Sequence, residues 1–443
     1  MKFFINQKFK NLNYLELIKG SSSAMSVRIL GVLATYILTI FISRSYGKDA
    51  MGLFALSQTM LMLVSVFSRF GFDTASVKFV SENLSLNKIQ KLRKTYFKIL
   101  KFVIPLSIIL SVILYLCSSV IAINIMNKEE MITPLRIISI AILPFVLLFI
   151  HSESLRGMKK IIFYSLFRNM SSPIITATIL LIFYFNNFTE VQFPIYAYVL
   201  SVFILSIISL FIWLFYMPKS NDKSKISVKI TDILSVSYPM MFTSSMSYLL
   251  QWSGIIILGI FASKGEVGIY SVAVRISYIT TITLFAIESI AAPKFSELYA
   301  NKKMDDFKKM IHQSTKLIFW VSSPILILFL VFPTFFLSLF GGEFIVGKTV
   351  LILLVISQFI TACSGSVGYI LQMTGKQKTF QYIIFLSATI NILLNFALVP
   401  AYGMLGTAIS SLISLMFRNF VSIYMVFHYY NIITFYFPGI FRR

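Results

Sequence analysis

Long apolar segments, separated by short polar ones, occupy most of the chain between residues 20 and 428. An α-helix needs about 20 predominantly apolar residues to cross the hydrocarbon core of a bilayer. Twelve segments are long and apolar enough, and the pattern predicts a membrane helix in each. The predicted helices cover residues 20–43, 50–71, 102–124, 135–152, 162–185, 191–217, 233–261, 267–291, 317–340, 347–372, 379–399 and 404–428. The sequence therefore predicts an all-α polytopic membrane protein with 12 transmembrane helices.

The composition agrees with lipid as the main solvent of the fold. Hydrophobic residues make up 57% of the 443 residues and charged residues 12%, whereas soluble domains contain roughly 25% charged residues. A soluble fold of this size could not bury so much apolar surface. The composition therefore excludes a soluble enzyme.

The basic residues indicate which side of the membrane each loop faces. Lys and Arg number 39 against 16 Asp and Glu, a net charge of +23. If the N-terminus is cytoplasmic, the inner segments hold 28 Lys and Arg and the outer loops hold five. Basic residues concentrate in cytoplasmic loops, so both termini are predicted to be cytoplasmic. The charge excess then indicates contact with anionic membrane lipid and gives no reason to expect nucleic acid as a partner.

The sequence gives little support for catalysis or for a metal site. The predicted outer loops are short, which leaves no room for the external catalytic domain of a membrane glycosyltransferase or polymerase. No P-loop, dinucleotide fingerprint or Ser/His/Asp set stands in a suitable context. Cys117 and Cys363 lie in apolar segments and the three His are far apart in the sequence, so no disulfide, metal or cofactor is predicted. We expect the chain to move a substrate and not to be an enzyme.

Short matches at one offset indicate an internal repeat. Gly52 opens the second predicted helix and Gly268, 216 residues later, opens the eighth, while Lys78-Phe79 and Lys294-Phe295 match at the same offset. With six helices in each half, both halves enter the membrane in the same direction, as in transporters built from parallel repeats. Chance matches in apolar sequence are the alternative. The predicted domains are an N-terminal six-helix bundle, a cytoplasmic linker and a C-terminal six-helix bundle, at residues 1–217, 218–232 and 233–443.

An ordered set of motifs resembles a known family. In the first half the motifs are Leu17 to Ser23 with Arg28 and Gly31, Arg44 to Gly47, Gly52-Leu53-Phe54 and Phe70 to Ala75. In the second half they are Phe340 to Phe344, Asn391, Asn395, Pro400 to Gly403 and Gly406-Thr407-Ala408. In their order and spacing they resemble bacterial polysaccharide flippases of the O-antigen and capsule type, within the multidrug/oligosaccharidyl-lipid/polysaccharide exporter superfamily.

This resemblance implies a fold, a substrate and a location. The fold is the one shared with multidrug exporters and with flippases of lipid-linked peptidoglycan precursors. The implied substrate is an undecaprenyl-pyrophosphate-type lipid-linked oligosaccharide, carried from the cytoplasmic to the outer leaflet of the bacterial cytoplasmic (inner) membrane. A polysaccharide polymerase and chain-length machinery are the implied partners.

Polar residues at helical spacing indicate which helix faces could line a cavity. In the first predicted helix Arg28 and Thr35 share one face, and Leu30 and Leu33 lie on the opposite face. Charged residues inside membrane helices are costly and usually functional, and an Arg can bind phosphate oxygens through two N–H groups. Arg28 is therefore a candidate phosphate contact. An Arg that extends to the inner membrane surface is the alternative.

The second, seventh and eighth predicted helices supply further candidates. Arg69 and Asp73 are four residues apart and could pair along the helix. For Arg69 and Arg275 a structural ion pair is the alternative to a cavity, and helix packing explains Arg168 and Arg418 equally well. The candidate substrate-binding residues are Arg28, Arg69, Arg275, Gln251, Thr35 and Gln58, and the candidate coupling or gating residues are Asp73 and Glu288.

The predicted function is translocation of the lipid-linked oligosaccharide by alternating access. Arg28, Arg69 and Arg275 are the expected phosphate contacts, and proton or sodium coupling stays open. A multidrug or organic-cation exporter of the same fold is one alternative, although such a cavity should be acidic or aromatic. A membrane scaffold for polysaccharide enzymes that transports nothing is the other, and it needs no charged residue inside its helices.

Overall fold

The computed structural model describes residues 12–218 and 229–438, with side chains from Met25 onward except at positions 239, 243 and 289. Every regular element in these residues is helical, which confirms the predicted all-α class. The predicted cytoplasmic ends of the chain, and most of the predicted linker 218–232, lie outside the described residues.

The described residues form two successive groups of α-helices, here called the N-terminal half and the C-terminal half. The N-terminal half contains α1 (Leu12–Arg69), α2 (Phe72–Ser85), α3 (Ile89–Val120), α4 (Ile132–Gly157), α5 (Ile161–Ser165), α6 (Ser171–Phe185) and α7 (Phe193–Tyr216). The C-terminal half contains α8 (Ile230–Phe261), α9 (Lys264–Ser277), α10 (Thr281–Ala300), α11 (Met304–Val331), α12 (Pro333–Ser338), α13 (Lys348–Ser364), α14 (Val367–Met373) and α15 (Gln377–Tyr430).

Within the described residues, 10 helical stretches are long and apolar enough to cross a membrane, against the 12 predicted. The chain is therefore a multi-pass membrane protein. The difference in number lies in α1 and α15, which contain 58 and 54 residues. Each combines two predicted helices and is well over twice the roughly 20 residues that one crossing needs.

Helix α1 folds back on itself at Gly47. This residue has φ 82° and ψ 176°, which is not helical and is readily adopted only by glycine. Thr39 and Gln58, on either side of it, both accept hydrogen bonds from the guanidinium group of Arg275, at 3.2 and 3.0 Å. In a straight helix these two residues would lie about 28 Å apart. The two segments of α1 must therefore lie side by side.

Helix α15 folds back in the same way at Gly403, which has φ 52° and ψ −131°. The side-chain amide of Asn391 donates a hydrogen bond to Ser414 Oγ at 2.9 Å. A straight helix would separate these residues by about 35 Å. Both long helices are thus helical hairpins with a glycine at the turn.

One continuous apolar core extends through both halves. It includes Ile42 and Leu56 of α1, Ile142 of α4, Val272 of α9 and Leu354 of α13, all nearly inaccessible. Many other large apolar side chains face outward, as lipid-facing residues must. The most exposed of them are Leu116, Phe185, Phe211, Phe215, Ile290, Val346 and Tyr382.

The two halves touch through a reciprocal glycine contact at the predicted outer end. A Cβ atom on Gly52 would lie 1.8 Å from the carbonyl oxygen of Lys264, and one on Gly268 would lie 2.1 Å from the carbonyl oxygen of Lys48. Both pairs of equivalent positions, 52 with 268 and 48 with 264, are separated by 216 residues. This is the arrangement that a two-fold repeat would give, and only glycine permits it.

Ion pairs surround this glycine contact and join the two halves. Lys264 lies 3.6 Å from the carboxylate of Asp49 and also pairs with Glu130. Lys48 lies 3.6 Å from Glu343, whose carboxylate also accepts a hydrogen bond from the backbone N–H of Lys48 at 2.7 Å. Each pair has one member in each half, so these ion pairs link the two halves at this end.

Candidate functional site

Two adjoining cavities lie inside the helical bundle. The first, here called the interface cavity, has a volume of about 470 Å³ and is lined by residues of both halves. The second, here called the C-half cavity, has a volume of about 340 Å³ and is lined by residues of α8 to α15. The residues that line both are Gln251, Ile255, Val274 and Tyr278.

Arg275 is the central cation of the interface cavity. Helix α9 carries it, and its hydrogen bonds to Thr39 and Gln58 tie it to both segments of α1. The hydroxyl of Tyr36 donates to the backbone oxygen of Arg275, which fixes the helix that carries it. A guanidinium group has five N–H donors, so these contacts orient Arg275 and leave donors for an anion in the cavity.

Arg168 is the second cation of the interface cavity. Its guanidinium group lies 3.8 Å from the ring centre of Phe149, and its Nε lies 3.9 Å from the carboxylate of Glu153. It belongs to the π-helical turn Leu166–Met170, which joins α5 to α6. Such turns occur frequently at functional sites, but the sequence alone does not reveal this one, and helix packing explained Arg168 equally well.

Three of the predicted binding residues also line the interface cavity: Thr35, Gln58 and Gln251. Gln58 accepts from Arg275, and the hydroxyl of Thr35 donates at 2.8 Å to the carbonyl of Gly31 in its own helix. The structure therefore brings four of the six predicted substrate-binding residues together. Their contact with a substrate remains a prediction.

The other two predicted binding residues, Arg28 and Arg69, are not among the described residues that line either cavity. The guanidinium group of Arg28 lies 3.6 Å from the ring centre of Phe285, in the other half. Arg69 is fully buried and donates to Asp73 at 2.9 Å. For Arg69 and Asp73 the structure has the ion pair that the sequence offered as the alternative.

Carboxylates of the described residues do not line the cavities, but two of them interact with lining arginines, Glu153 with Arg168 at 3.9 Å and Glu288 with Arg418. Among the described residues, no Asp or Glu lines the interface cavity or the C-half cavity. Asp73 is paired with Arg69, and Glu288 is buried and interacts electrostatically with Arg418. The two candidate coupling residues thus lie outside the cavities, and each interacts with an arginine. The described charged residues on the cavity walls are therefore arginines, namely Arg168, Arg275 and Arg418.

The C-half cavity differs from the interface cavity in its lining. Its charged residue is Arg418, and most of its polar groups are amides and hydroxyls. Asn391 organises them: its carbonyl oxygen accepts from Ser253 at 2.9 Å, and its amide donates to Ser414 at 2.9 Å. The polar residues on the walls include Ser247, Gln251, Thr281, Ser357, Gln358, Asn391, Ser411 and Ser414. Such groups can hydrogen-bond to sugar hydroxyls.

Known relatives share parts of this sequence. The probable low-salt glycan biosynthesis flippase Agl15 of Haloferax volcanii is 26% identical over 38% of this chain and 36% of its own length. The capsular polysaccharide biosynthesis protein CapF of Staphylococcus aureus is 24% identical over 49% of this chain and 54% of its own length. The matched segments thus span between about a third and about half of these relatives.

Solved transporter structures share the fold. An inward-facing multidrug resistance MATE family transporter of the MOP superfamily superposes with a TM-score of 0.73 at 15% identity, over 92% of this chain and 98% of its own. The lipid II flippase MurJ in an inward closed conformation superposes with a TM-score of 0.72 at 14% identity, over 92% of this chain and 87% of its own. The hairpins and central cavities described above therefore lie in a transporter-like fold.

Two family models match the sequence itself. The MatE model matches residues 239–397, and the model described as polysaccharide biosynthesis protein matches residues 17–299, well over half of the chain. The second match confirms the resemblance seen in the motifs, and the chain belongs to the polysaccharide biosynthesis protein family.

Proposed function

We propose that this protein is a flippase that carries polyprenyl-pyrophosphate-linked oligosaccharide units from the cytoplasmic to the outer leaflet, for assembly of a surface polysaccharide such as O-antigen or capsule. The observation that carries the proposal is a pair of adjoining internal cavities whose charged lining residues are arginines. Membership of the polysaccharide biosynthesis family supports it, and so do relatives named as glycan flippases.

The pyrophosphate binds in the interface cavity. Arg275 and Arg168 both line it, and each can donate two N–H groups to phosphate oxygens. Helices of both halves form the wall beside Arg275, so a movement of one half against the other changes its surroundings directly. Arg28 and Arg69 support the surrounding helices, and they contact phosphate only if the halves move.

The glycan binds in the C-half cavity. Each unsatisfied polar group costs several kcal/mol in hydrocarbon, and a sugar unit carries many hydroxyls. The amides of Gln358 and Asn391, with the hydroxyls of Ser357 and Ser411, replace the water that those hydroxyls lose. The polyprenyl chain stays in the lipid throughout.

The proposed topology has 12 crossings, because the hairpins at Gly47 and Gly403 each divide one long helix into two. It places both termini in the cytoplasm of a bacterium and forms two parallel six-helix bundles that alternate in access. The ion pairs around Gly52 and Gly268 then close the outer side. An inside-negative potential favours outward movement of the anion by about 2.3 kcal/mol per charge per 100 mV, so ion coupling through Asp73 or Glu288 is not required.

A multidrug exporter is the second candidate, and the MatE match at residues 239–397 favours it. An organic cation needs a carboxylate or an electron-rich ring to stabilise its charge. The interface cavity has aromatic rings, but among the described residues its charged groups are Arg168 and Arg275. Because like charges repel, the cationic lining argues against this candidate.

Transport by purified protein in liposomes tests the proposal. The liposomes carry a fluorescent polyprenyl-pyrophosphate oligosaccharide in one leaflet, and a membrane-impermeant quencher reports its arrival in the other. We expect the protein to accelerate this movement, and to do so more when the potential favours the anion. Transport of an organic cation without movement of the lipid would support the exporter instead. If neither moves, the scaffold becomes the better interpretation.

A further inference from the structure

A third concave region lies on the surface of the C-terminal half, where α8 packs against α15. It is a groove of about 430 Å³, and sites for small molecules typically enclose roughly 300–1,000 Å³. Phe242 and Met246 of α8 form one wall, and Tyr382 and Phe385 of α15 form the other. Phe242, Tyr382 and Phe385 are 52%, 70% and 42% exposed. In a membrane protein, a groove lined by such side chains opens to lipid.

The groove lies at the level of the inner leaflet in the proposed topology. Phe242 lies about 28 Å along α8 from its outer end at Phe261, and Phe385 lies about 27 Å along α15 from the turn at Gly403. Since the hydrocarbon core is about 30 Å thick, these side chains reach its inner boundary. Lys378, which also lines the groove and is exposed, is two turns further along α15, at the level of the lipid headgroups.

Ile384 lies on the wall between the groove and the C-half cavity. It is partly buried and, among the described residues, is the lining residue that the two spaces share. An apolar chain in the groove would therefore hold its headgroup beside the wall of the cavity that the glycan enters. A sugar ring is wider than the gap that a rotamer change of one side chain would open, so passage at this point requires α8 and α15, which pack together, to move apart.

We propose that this groove binds the polyprenyl chain of the lipid-linked substrate in the inner leaflet, with Lys378 contacting its phosphate, before the glycan passes Ile384 into the C-half cavity. The inference rests on the proposed function. The apolar aromatic walls suit a hydrocarbon chain, and Lys378 supplies the charge complementary to a phosphate. A phospholipid fits the walls equally well, but it has no sugar for the amides and hydroxyls behind Ile384.

Photocrosslinking in nanodiscs tests this site without requiring transport. In the test variant the photoreactive residue p-benzoylphenylalanine replaces Tyr382. In the matched control it replaces Phe215 of α7, which is 82% exposed. The probe is radiolabelled polyprenyl pyrophosphate without sugar, in discs of phosphatidylglycerol and phosphatidylcholine. We expect the yield at position 382 to exceed that at position 215 by about five-fold or more. Equal yields at the two positions would overturn the proposal.

Lys378→Gln tests the contribution of the lysine charge separately from that of the apolar walls that contact the polyprenyl chain. A basic residue near the membrane surface contributes enough to change binding of an anionic lipid by about five-fold. We expect this variant to lower crosslinking of the pyrophosphate probe by that factor and to leave polyprenol, which has no phosphate, unchanged. Crosslinking of phospholipid in proportion to its abundance, or of a second copy of the chain, would instead mean that another occupant fills the groove.

Ile384→Trp tests passage out of the groove, because a larger side chain at the shared wall should slow entry of the glycan into the C-half cavity. We expect this variant to slow transport of the glycan-bearing lipid more than transport of polyprenyl pyrophosphate without sugar. Transport by this variant at the wild-type rate would overturn the passage past Ile384. Specific crosslinking at position 382, together with no lipid transport by the wild-type protein, would refute the flippase but keep the groove as a binding site. Transport without specific crosslinking would keep the flippase and refute the groove.

Discussion

The interface cavity and the C-half cavity adjoin and share Gln251 and Tyr278, but their chemistry differs. Two arginines and several aromatic rings line the interface cavity. Amides and hydroxyls, with Arg418, line the C-half cavity. On the proposed function, the arginines of the interface cavity suit phosphate and the amides and hydroxyls of the C-half cavity suit sugar, so each cavity would bind one polar part of the lipid-linked substrate.

At the predicted outer end of the molecule the two halves are alike, unlike the linings of the two cavities. There Gly52 and Gly268 occupy equivalent positions and pack against each other reciprocally. On the proposed duplication, the contact that the two halves make with each other has stayed symmetric, while the cavities have diverged. This fits a transporter in which the movement is common to many substrates and the cavity lining decides which substrate moves.

The largest expected effect follows from removal of the central cation. Arg275→Ala removes the proposed phosphate contact together with the observed hydrogen bonds to Thr39 and Gln58. A hydrogen bond to a charged group contributes about 1.5–3 kcal/mol, so transport in liposomes should fall by about 10- to 100-fold. Arg44→Ala is the control, because Arg44 is exposed at the outer end and donates to the carbonyl of Leu339 at 2.8 Å. Equal effects of the two substitutions would contradict the assignment of Arg275.

The second prediction compares one arginine from each cavity. Arg168→Ala should weaken binding of polyprenyl pyrophosphate by about 10-fold whether or not it carries sugar, because it removes a charged phosphate contact. Arg418→Ala should weaken binding only of the sugar-bearing lipid. Titration of each variant with both lipids measures this difference. If both variants lose affinity for both lipids equally, the two cavities do not bind different parts of the substrate.

The third prediction concerns the buried network of the C-half cavity. Asn391→Ala leaves Ser253 without its acceptor and Ser414 without its donor, and each unsatisfied buried group costs at least about 1 kcal/mol. We expect a lower midpoint of thermal unfolding in detergent. Thr389→Ala, at an exposed hydroxyl of the same helix, should change stability by less than about 0.5 kcal/mol. An unchanged midpoint for Asn391→Ala would mean that the network does not hold the cavity wall.

The smallest expected effect lies in the ion pairs of the symmetric outer end. Lys264→Gln removes the pairs with Asp49 and Glu130, both of which are substantially exposed. Exposed pairs contribute about 0.2–1 kcal/mol and weaken in salt. The variant should open outward slightly more often, as accessibility of a cysteine at the outer mouth would show, and high salt should remove the difference from wild type. A large effect that persists in high salt would require a different account of this end.

The sequence predicted the helices more reliably than the site. Hydropathy identifies apolar segments wherever they occur, and glycines such as Gly47 and Gly403 mark turns that other residues adopt only with strain. Arg28 could not be placed in this way, because its neighbour Phe285 belongs to the other half and only tertiary packing brings the two together. Arg168, for which helix packing is an equal explanation in the sequence, lines the interface cavity from a π-helical turn that has no clear sequence signature.

Transport of two matched lipids tests the central claim most directly. Wild type, Arg275→Ala and Arg418→Ala are each assayed in liposomes with polyprenyl pyrophosphate, with and without its oligosaccharide. If the interface cavity binds the pyrophosphate and the C-half cavity binds the sugar, Arg275→Ala should slow transport of both lipids, and Arg418→Ala should slow transport only of the lipid that carries sugar. Normal transport of both lipids by Arg275→Ala would contradict the assignment of the pyrophosphate to the interface cavity.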